Sequence, residues 1–62
     1  MFEDLTDRET EIAGLVARGR TNRQIAEQIG TTIGGVRRSL ENVFQKLVIH
    51  NRTQLAAKWW TQ

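Results

Sequence analysis

One stretch of the chain, residues 32–47, constrains the fold more than any other. Its apolar side chains recur at i, i+4, i+7, i+8 and i+11, and they are Val36, Leu40, Val43, Phe44 and Leu47. At about 100° per residue they form a single stripe, which is typical of an α-helix with one buried side. The pattern therefore predicts a helix that packs this stripe against the rest of the domain.

The opposite side of this predicted helix is polar and begins with two adjacent arginines. Arg38, Glu41 and Asn42 project away from the stripe, and Arg37 lies at its border. Burial explains the stripe, but it does not explain two exposed guanidinium groups near the N-terminal end of the helix. Reading the DNA major groove requires an exposed helix whose side chains donate to base edges and phosphates. We therefore interpret this stretch as a recognition helix.

Capping signals predict three further helices. Thr6 and Glu9 have the spacing of a capping box, Thr21 or Asn22 can cap a second helix, and Asn51 can cap a last one. The chain has no Pro that would interrupt these helices. The predicted bounds are about 7–17, 22–29, 33–47 and 52–61.

A short turn separates the second and third of these helices. It contains Gly30, which can adopt the left-handed conformation that a tight helix–helix turn needs. A short helix, a turn of about three residues and a longer polar-faced helix have the spacing of a helix-turn-helix. We therefore predict an all-α, four-helix helix-turn-helix domain over residues 1–62, with the recognition helix at about 33–47.

Charge and composition narrow the function. The net charge is only +2, but residues 1–11 carry five acidic side chains against one basic, and residues 12–62 carry eight basic against two acidic. A basic body of this kind suits a polyanionic partner. The sequence has no Cys and a single His, His50, and it contains no cofactor or metal motif. We therefore expect neither an enzyme nor a metal or cofactor site. No apolar run approaches the roughly 18 residues of a membrane span, which favours the cytoplasm.

Four segments together resemble the LuxR-type (GerE-type) helix-turn-helix domain of bacterial transcription regulators. The segments are LTDRETEI (5–12), ARGRTNRQIAEQI (17–29), VRRSLENVFQKL (36–47) and NRTQLA (51–56), in the family's order and spacing. The resemblance implies sequence-specific binding of double-stranded DNA with the third helix in the major groove. It also implies a bacterial cytoplasmic location and makes RNA polymerase a candidate partner.

The resemblance also implies roles for individual residues. Side chains on the exposed face of the third helix would read bases, and these are Arg37, Arg38 and Glu41. Side chains at helix ends and flanks would contact phosphates, and these are Asn22, Arg23, Thr32, Asn42 and Lys46. From the sequence alone, Arg23 is equally well explained as a solvated helix residue.

The last helix carries two adjacent tryptophans that cannot both be buried in so small a core. On a helical wheel Trp59 shares the inward face, so Trp60 lies outward beside Thr53 and Ala57. An exposed Trp with small neighbours suggests a partner helix, and the resemblance likewise implies a weak homodimer through the C-terminal helix. The alternative is a Trp that lies along its own domain.

Several residues depart from the family pattern. Gly34 and Gly35 stand in the first turn of the recognition helix, where the family usually has Thr at the second position, so we expect this turn to be loose. Glu41 can accept from cytosine but repels phosphates, and Val48 is a poor residue for a left-handed helix end. Two alternatives stay open. Region 4 of a sigma factor also opens with a Leu-Thr-x-Arg-Glu helix and carries a helix-turn-helix, whereas Gly34, Gly35 and Glu41 favour a degenerate helix-turn-helix that binds proteins.

Overall fold

The computed structural model describes residues 2–61, and they form four helices and no strand. The all-α prediction is confirmed. The ends of the predicted domain, Met1 and Gln62, lie outside the described residues. No helix within the described part is long and apolar enough to cross a membrane. The helices are α1 (Asp7–Ala17), α2 (Asn22–Ile29), α3 (Ile33–Leu47) and α4 (Arg52–Trp60).

Side-chain caps determine where each helix begins. Thr6 and Glu9 form the predicted capping box at α1, with Thr6 Oγ1 accepting from the Glu9 N–H at 3.1 Å. A second box decides the start of α2, because the Thr21 hydroxyl and the side chain of Gln24 satisfy each other's backbone N–H groups. Single caps begin α3 and α4, from Thr32 and Asn51 respectively.

The C-terminal ends of α2 and α3 both use left-handed backbone, but with different residues. Gly30 ends α2 at φ 74°, as the turn requires. Val48 ends α3 at φ 55°, which costs a β-branched residue about 1–2 kcal/mol. The turn is held by the Ile49 N–H, which donates to the Phe44 carbonyl at 3.0 Å. Because Ile49 also packs against the core, its burial helps to offset the strain at Val48.

The core lies where the apolar sides of all four helices meet. The α3 stripe is inward as predicted, with Val36, Leu40 and Val43 buried and Phe44 and Leu47 partly buried. The other buried apolar residues are Leu5, Ile12, Ala13, Val16, Ile25, Ala26 and Leu55.

The helices α1 and α4 approach closely at Gly14. A Cβ atom at this position would lie 3.0 Å from the Trp59 ring and from the Arg18 guanidinium. Trp59 therefore lies on the inward face, as the helical wheel predicted, and its ring centroid is 5.5 Å from that of Phe2. Gly14 is required here for packing rather than for its backbone conformation.

One charged residue, Glu9, is buried with the apolar core. Its Oε1 accepts from the Thr6 N–H at 2.9 Å and from the Lys46 ammonium at 2.7 Å, so one carboxylate caps α1 and joins it to the C-terminal turn of α3. The Lys46 hydrogen bond and then the Thr6 backbone N–H hold the pKa of Glu9 below its ordinary value, against the opposing effect of burial. The sequence accounts for Glu9 by the capping box and the helix dipole at the start of α1, and it gives no sign of the contact with Lys46.

This ion pair predicts a specific dependence of stability on pH. A carboxyl group whose pKa is lower in the folded protein stabilises it fully above the unfolded pKa, about 4.3, and less as the pH falls through the folded pKa. We expect Glu9→Gln, which can retain the capping box, to lower the free energy of unfolding by about 1–2 kcal/mol at pH 7. The difference from wild type should disappear in acid, as measured by urea unfolding across pH.

Glu11→Gln is the matched control for this variant. Glu11 is an exposed carboxylate on the same helix, and it pairs with Arg8 at 3.4 Å. Its replacement should change stability by less than about 0.5 kcal/mol at any pH. A Glu9→Gln difference that stayed constant down to pH 3 would show that charge on Glu9 contributes nothing.

Candidate nucleic-acid interface

The exposed face of α3 presents the three residues predicted to read bases. Arg37, Arg38 and Glu41 are all exposed; Arg38 and Glu41 lie on the side of the helix away from Val36 and Leu40, and Arg37 lies at the border of the apolar stripe. The side chains of these three residues form no hydrogen bond and no ion pair with any residue between Phe2 and Thr61. Their polar groups are therefore available to a ligand.

The first turn of α3 is capped despite its two glycines. The Thr32 hydroxyl accepts from the Gly35 N–H at 3.0 Å, so the helix begins at Ile33. A Cβ at Gly34 would meet only Thr32 Oγ1, at 3.9 Å, whereas a Cβ at Gly35 would lie 2.9 Å from Thr31 Oγ1. The family's usual Thr would therefore require Thr31 to move. The looseness expected for this turn stays a prediction.

An open groove of about 560 Å³ lies beside the N-terminal end of α3, where the α1–α2 connection and the N-terminal ends of α2 and α4 come together. Four of the residues that line it are arginines, from four different parts of the chain. Asn22 and the half-exposed Ile33 also line it. We call this feature the arginine groove, after Arg20, Arg23, Arg37 and Arg52.

The residues predicted to contact phosphates are placed differently by the fold. Asn22 and Arg23 both line the arginine groove, and Thr32 caps the adjoining helix. Asn42 is exposed on α3. Lys46 lies outside the groove lining, in its ion pair with Glu9, and its side chain is only 36% exposed. A phosphate contact by Lys46 stays a prediction, and the structure provides this residue with a role inside the domain.

Among the groove residues to which the sequence assigned no binding role are two arginines, Arg20 and Arg52, and the half-exposed Ile33. Arg20 immediately precedes the cap of α2, and a basic residue at that position could have been noticed as a signal. Arg52 carries no local signal, because its partners lie far away in sequence. Its guanidinium donates to the Asn22 side-chain oxygen and, at 2.5 Å, to the Arg20 carbonyl.

The outward face of α4 is also as the helical wheel predicted, with one addition. Thr53, Ala57 and Trp60 are all exposed, and Trp60 retains 62% of its accessible surface. The Trp60 indole N–H donates to the Ala17 carbonyl at 3.1 Å, and the Arg18 guanidinium lies 5.9 Å from the ring centroid. Trp60 therefore contacts its own domain along one edge while most of its ring faces solvent.

Comparison with known families identifies this architecture. The model of the bacterial regulatory proteins of the luxR family matches residues 3–59, which include all of α1, α2 and α3 and nearly all of α4. The chain belongs to the luxR family. It is a DNA-binding domain of the kind found in transcriptional regulators, and the family is one of regulatory proteins rather than enzymes. The match decides against the sigma-factor alternative.

Similar proteins are bacterial regulators. The luxR-family domain is 44% identical to the transcriptional regulatory protein LiaR of Bacillus subtilis over 54 residues. The matched residues cover 87% of this chain and 26% of LiaR. The domain is 39% identical over 56 residues to the monoamine regulon transcriptional regulator of Klebsiella aerogenes, covering 90% of this chain and 25% of that protein. It is 41% identical over 54 residues to the response regulator protein VraR of Staphylococcus aureus, covering 87% and 26% respectively. The chain thus spans about a quarter of the length of these relatives.

The two glycines of α3 should respond differently to substitution. Gly34→Ala adds a Cβ that meets only Thr32 Oγ1, at an ordinary contact distance of 3.9 Å. We therefore expect the full gain in helix propensity, up to about 1 kcal/mol in the free energy of unfolding. Gly35→Ala should gain clearly less, because its Cβ displaces the Thr31 hydroxyl. Thermal and urea unfolding of both variants measure the difference.

Removal of the Thr31 hydroxyl provides the control for Gly35. In a Thr31→Ala background the Gly35→Ala substitution should recover most of the gain seen for Gly34→Ala, since only the neighbouring Oγ1 of Thr32 remains, at 3.2 Å. Equal stabilisation by both alanines in the wild-type background would contradict the contact with Thr31.

Proposed function

We propose that this domain binds double-stranded DNA sequence-specifically, with α3 in the major groove. The observation that carries the proposal is the pair of exposed guanidinium groups of Arg37, at the border of the apolar stripe, and Arg38, on the outward face of α3, neither of which forms an ion pair within residues 2–61. Bidentate donation to guanine O6 and N7 is the commonest specific contact in the major groove. Glu41, one turn further along, can accept from cytosine N4. These three residues are the proposed base readers.

Phosphate contacts are proposed on both sides of these base readers. Asn22 and Arg23 line the arginine groove on one side of Arg37, and Arg20 joins them there. Thr32, Asn42 and Lys46 are the other proposed phosphate contacts, on α3 and its cap. Arg23 also pairs with Glu27 at 3.4 Å, but both side chains are more than two-thirds exposed, so this surface pair contributes little and can exchange for a phosphate.

Replacement of the two arginines tests the base-reading role. Arg38→Ala should relax preference at one base position by about 1–3 kcal/mol, because one bidentate contact is lost. The double Arg37/Arg38→Ala variant should bind all duplexes weakly and alike. Selection of bound sites from random DNA, followed by titration of the selected duplex, measures both effects.

Arg8→Ala is the charge-matched control for the arginine variants, since Arg8 lies on α1 and is paired with Glu11. It should leave both affinity and base preference nearly unchanged. If the double variant retained wild-type affinity and preference, α3 would not be the recognition helix.

Protein binding is a second candidate function, and the exposed Glu41 beside two arginines favours it, since a carboxylate repels DNA phosphates. Salt dependence separates the two functions. A DNA-binding domain loses affinity steeply with salt because it releases counterions from phosphates, whereas a module that binds only protein shows no affinity for the duplex.

We also propose that two copies pair on DNA through the outward face of α4, formed by Thr53, Ala57 and Trp60. The two small side chains beside an exposed aromatic ring allow a second helix to approach, and a two-fold contact would pair this surface with itself. This surface is smaller than the roughly 1,200 Å² that stable interfaces bury, so the two copies would pair only weakly in solution. DNA that carries two half-sites would hold both copies close together and stabilise the pair.

Trp60→Ala should therefore abolish cooperativity between half-sites while leaving binding to a single half-site nearly intact. Trp60→Phe is the matched variant, because it loses the N–H bond to Ala17 but retains an apolar ring. It should lower stability by about 1 kcal/mol and retain cooperativity. Binding isotherms on one-site and two-site duplexes measure this. Loss of stability without loss of cooperativity in Trp60→Ala would restrict Trp60 to its own domain.

The proposed setting is the bacterial cytoplasm, with RNA polymerase as a further candidate partner. The support is the bacterial origin and regulatory names of the similar proteins. We further propose that residues 1–62 form one domain of the regulator.

A further inference from the structure

We propose that Arg52 is a positioning residue that orients the Asn22 amide, so that the amide N–H groups face the arginine groove and bind a DNA phosphate there. The inference rests on the proposed DNA-binding function and adds a residue, Arg52, that acts on DNA only through another side chain. Three observations support it: the hydrogen bonds that Arg52 donates, the Asn22 amide donors that have no acceptor within residues 2–61, and the charged side chains around them.

The chemistry of the guanidinium group decides which way the amide points. Arginine carries only donors, so the atom of Asn22 that faces Arg52 must be the side-chain oxygen. One guanidinium nitrogen donates to that oxygen, and another donates to the Arg20 carbonyl. Both ends of the guanidinium fork are thus engaged, and Arg52 ties the first residue of α4 to the α1–α2 connection and to α2.

The nitrogen of the Asn22 amide has no such partner. It donates to no acceptor between Phe2 and Thr61, and no buried side-chain nitrogen or oxygen in that part of the chain lacks a hydrogen-bond partner. This nitrogen must therefore be solvent-accessible. Asn22 is among the residues that line the arginine groove, and the proposal places its two N–H donors on that side.

The surrounding charge favours a phosphate as the acceptor. Arg20 and Arg37 line the same groove, and within residues 2–61 neither forms an ion pair. The carboxylate paired with a groove residue belongs to Glu27, and it is exposed. Neutral amide donors beside unpaired guanidinium groups match a phosphodiester, which offers oxygen acceptors and a negative charge but carries no base information.

The proposal predicts a particular pattern of DNA binding. Asn22 is neutral, and Arg52 donates its hydrogen bonds to Asn22 and Arg20 within the protein. Neither residue should therefore displace a counterion from DNA. Disturbing either residue should weaken binding to every sequence alike and leave the salt slope unchanged. Because Arg52 acts through Asn22, the two losses should not add.

The experiment measures duplex affinity at several salt concentrations for wild type, Arg52→Lys, Asn22→Ala and the double variant. Lys retains the charge but cannot span both acceptors with a planar fork. Each single variant should lose roughly tenfold in affinity, the size of one hydrogen bond, and the double variant should also lose roughly tenfold rather than a hundredfold. Arg23→Ala is the comparison that should lower the salt slope by about one.

Two further variants guard against a purely structural effect. Arg8→Lys, at an arginine of α1 outside the groove, should leave affinity unchanged. Asn22→Asp preserves an acceptor for Arg52, so the melting temperature should not fall, but it removes the donors and should weaken DNA binding more than Asn22→Ala does.

Specific outcomes would overturn the proposal. Unchanged affinity in Arg52→Lys, or losses that multiply in the double variant, would show that Arg52 does not act through Asn22. Wild-type protein that binds no duplex at low salt would overturn the proposed function, and the phosphate contact with it. The amide orientation is tested separately by NMR of the free protein, where the Asn22 side-chain N–H protons should exchange rapidly with water. Protection of those protons from exchange would overturn the orientation.

Discussion

The burial of three side chains on α3 determines the direction of the proposed base-reading side chains. Val36, Leu40 and Val43 are at most 4% exposed and pack into the core that α3 shares with α1 and α2. Since a helix turns about 100° per residue, Arg38 and Glu41 must then point outward. Rotating α3 by one residue would bury a charged group without a partner, at a cost of several kcal/mol. The apolar stripe therefore specifies the polar face as firmly as it specifies the core.

Charged side chains at the two ends of α3 differ in whether they have a partner of opposite charge. Glu9 is buried, and its carboxylate joins the start of α1 to the end of α3 through Lys46. At the other end of α3 the charges are left unbalanced, because Arg20 and Arg37 approach one groove without a carboxylate partner in the described part of the chain. Such repulsion lowers stability but raises affinity for an anion. One ion pair thus stabilises the fold, and the arginines without a carboxylate partner are the proposed binding groups.

Two close fits accompany this arrangement. Gly14 leaves room for the Trp59 ring, which brings α4 against α1. Val48 accepts a left-handed conformation at the end of α3, and the next residue, Ile49, packs against the core. A glycine inside a helix and a valine in left-handed backbone each lower stability locally. In both places the burial of a large apolar side chain stabilises the fold by more than this local cost. α4 can then extend Arg52 to the α2 cap region.

The sequence by itself determined the helices. The bounds of α1, α2 and α3 follow from Thr6, Thr21, Thr32 and Gly30, and the outward face of α3 follows from its apolar period. These signals are readable because the hydrogen bonds that begin and end a helix join residues within about four positions of each other. The sequence allowed either Thr21 or Asn22 as the cap of α2, and in the structure Thr21 is the cap because Gln24 completes a capping box with it.

Only the tertiary structure decided how distant residues combine. Lys46 meets Glu9 across 37 positions, and Arg52 meets Asn22 across 30. No local period or spacing encodes such pairs, because they depend on the angles at which whole helices pack against a shared core. The resemblance therefore indicates Asn22 and Arg23 as candidate phosphate contacts, but no signal in the sequence indicates Arg52, whose contacts exist only once α4 has folded back onto the α1–α2 connection.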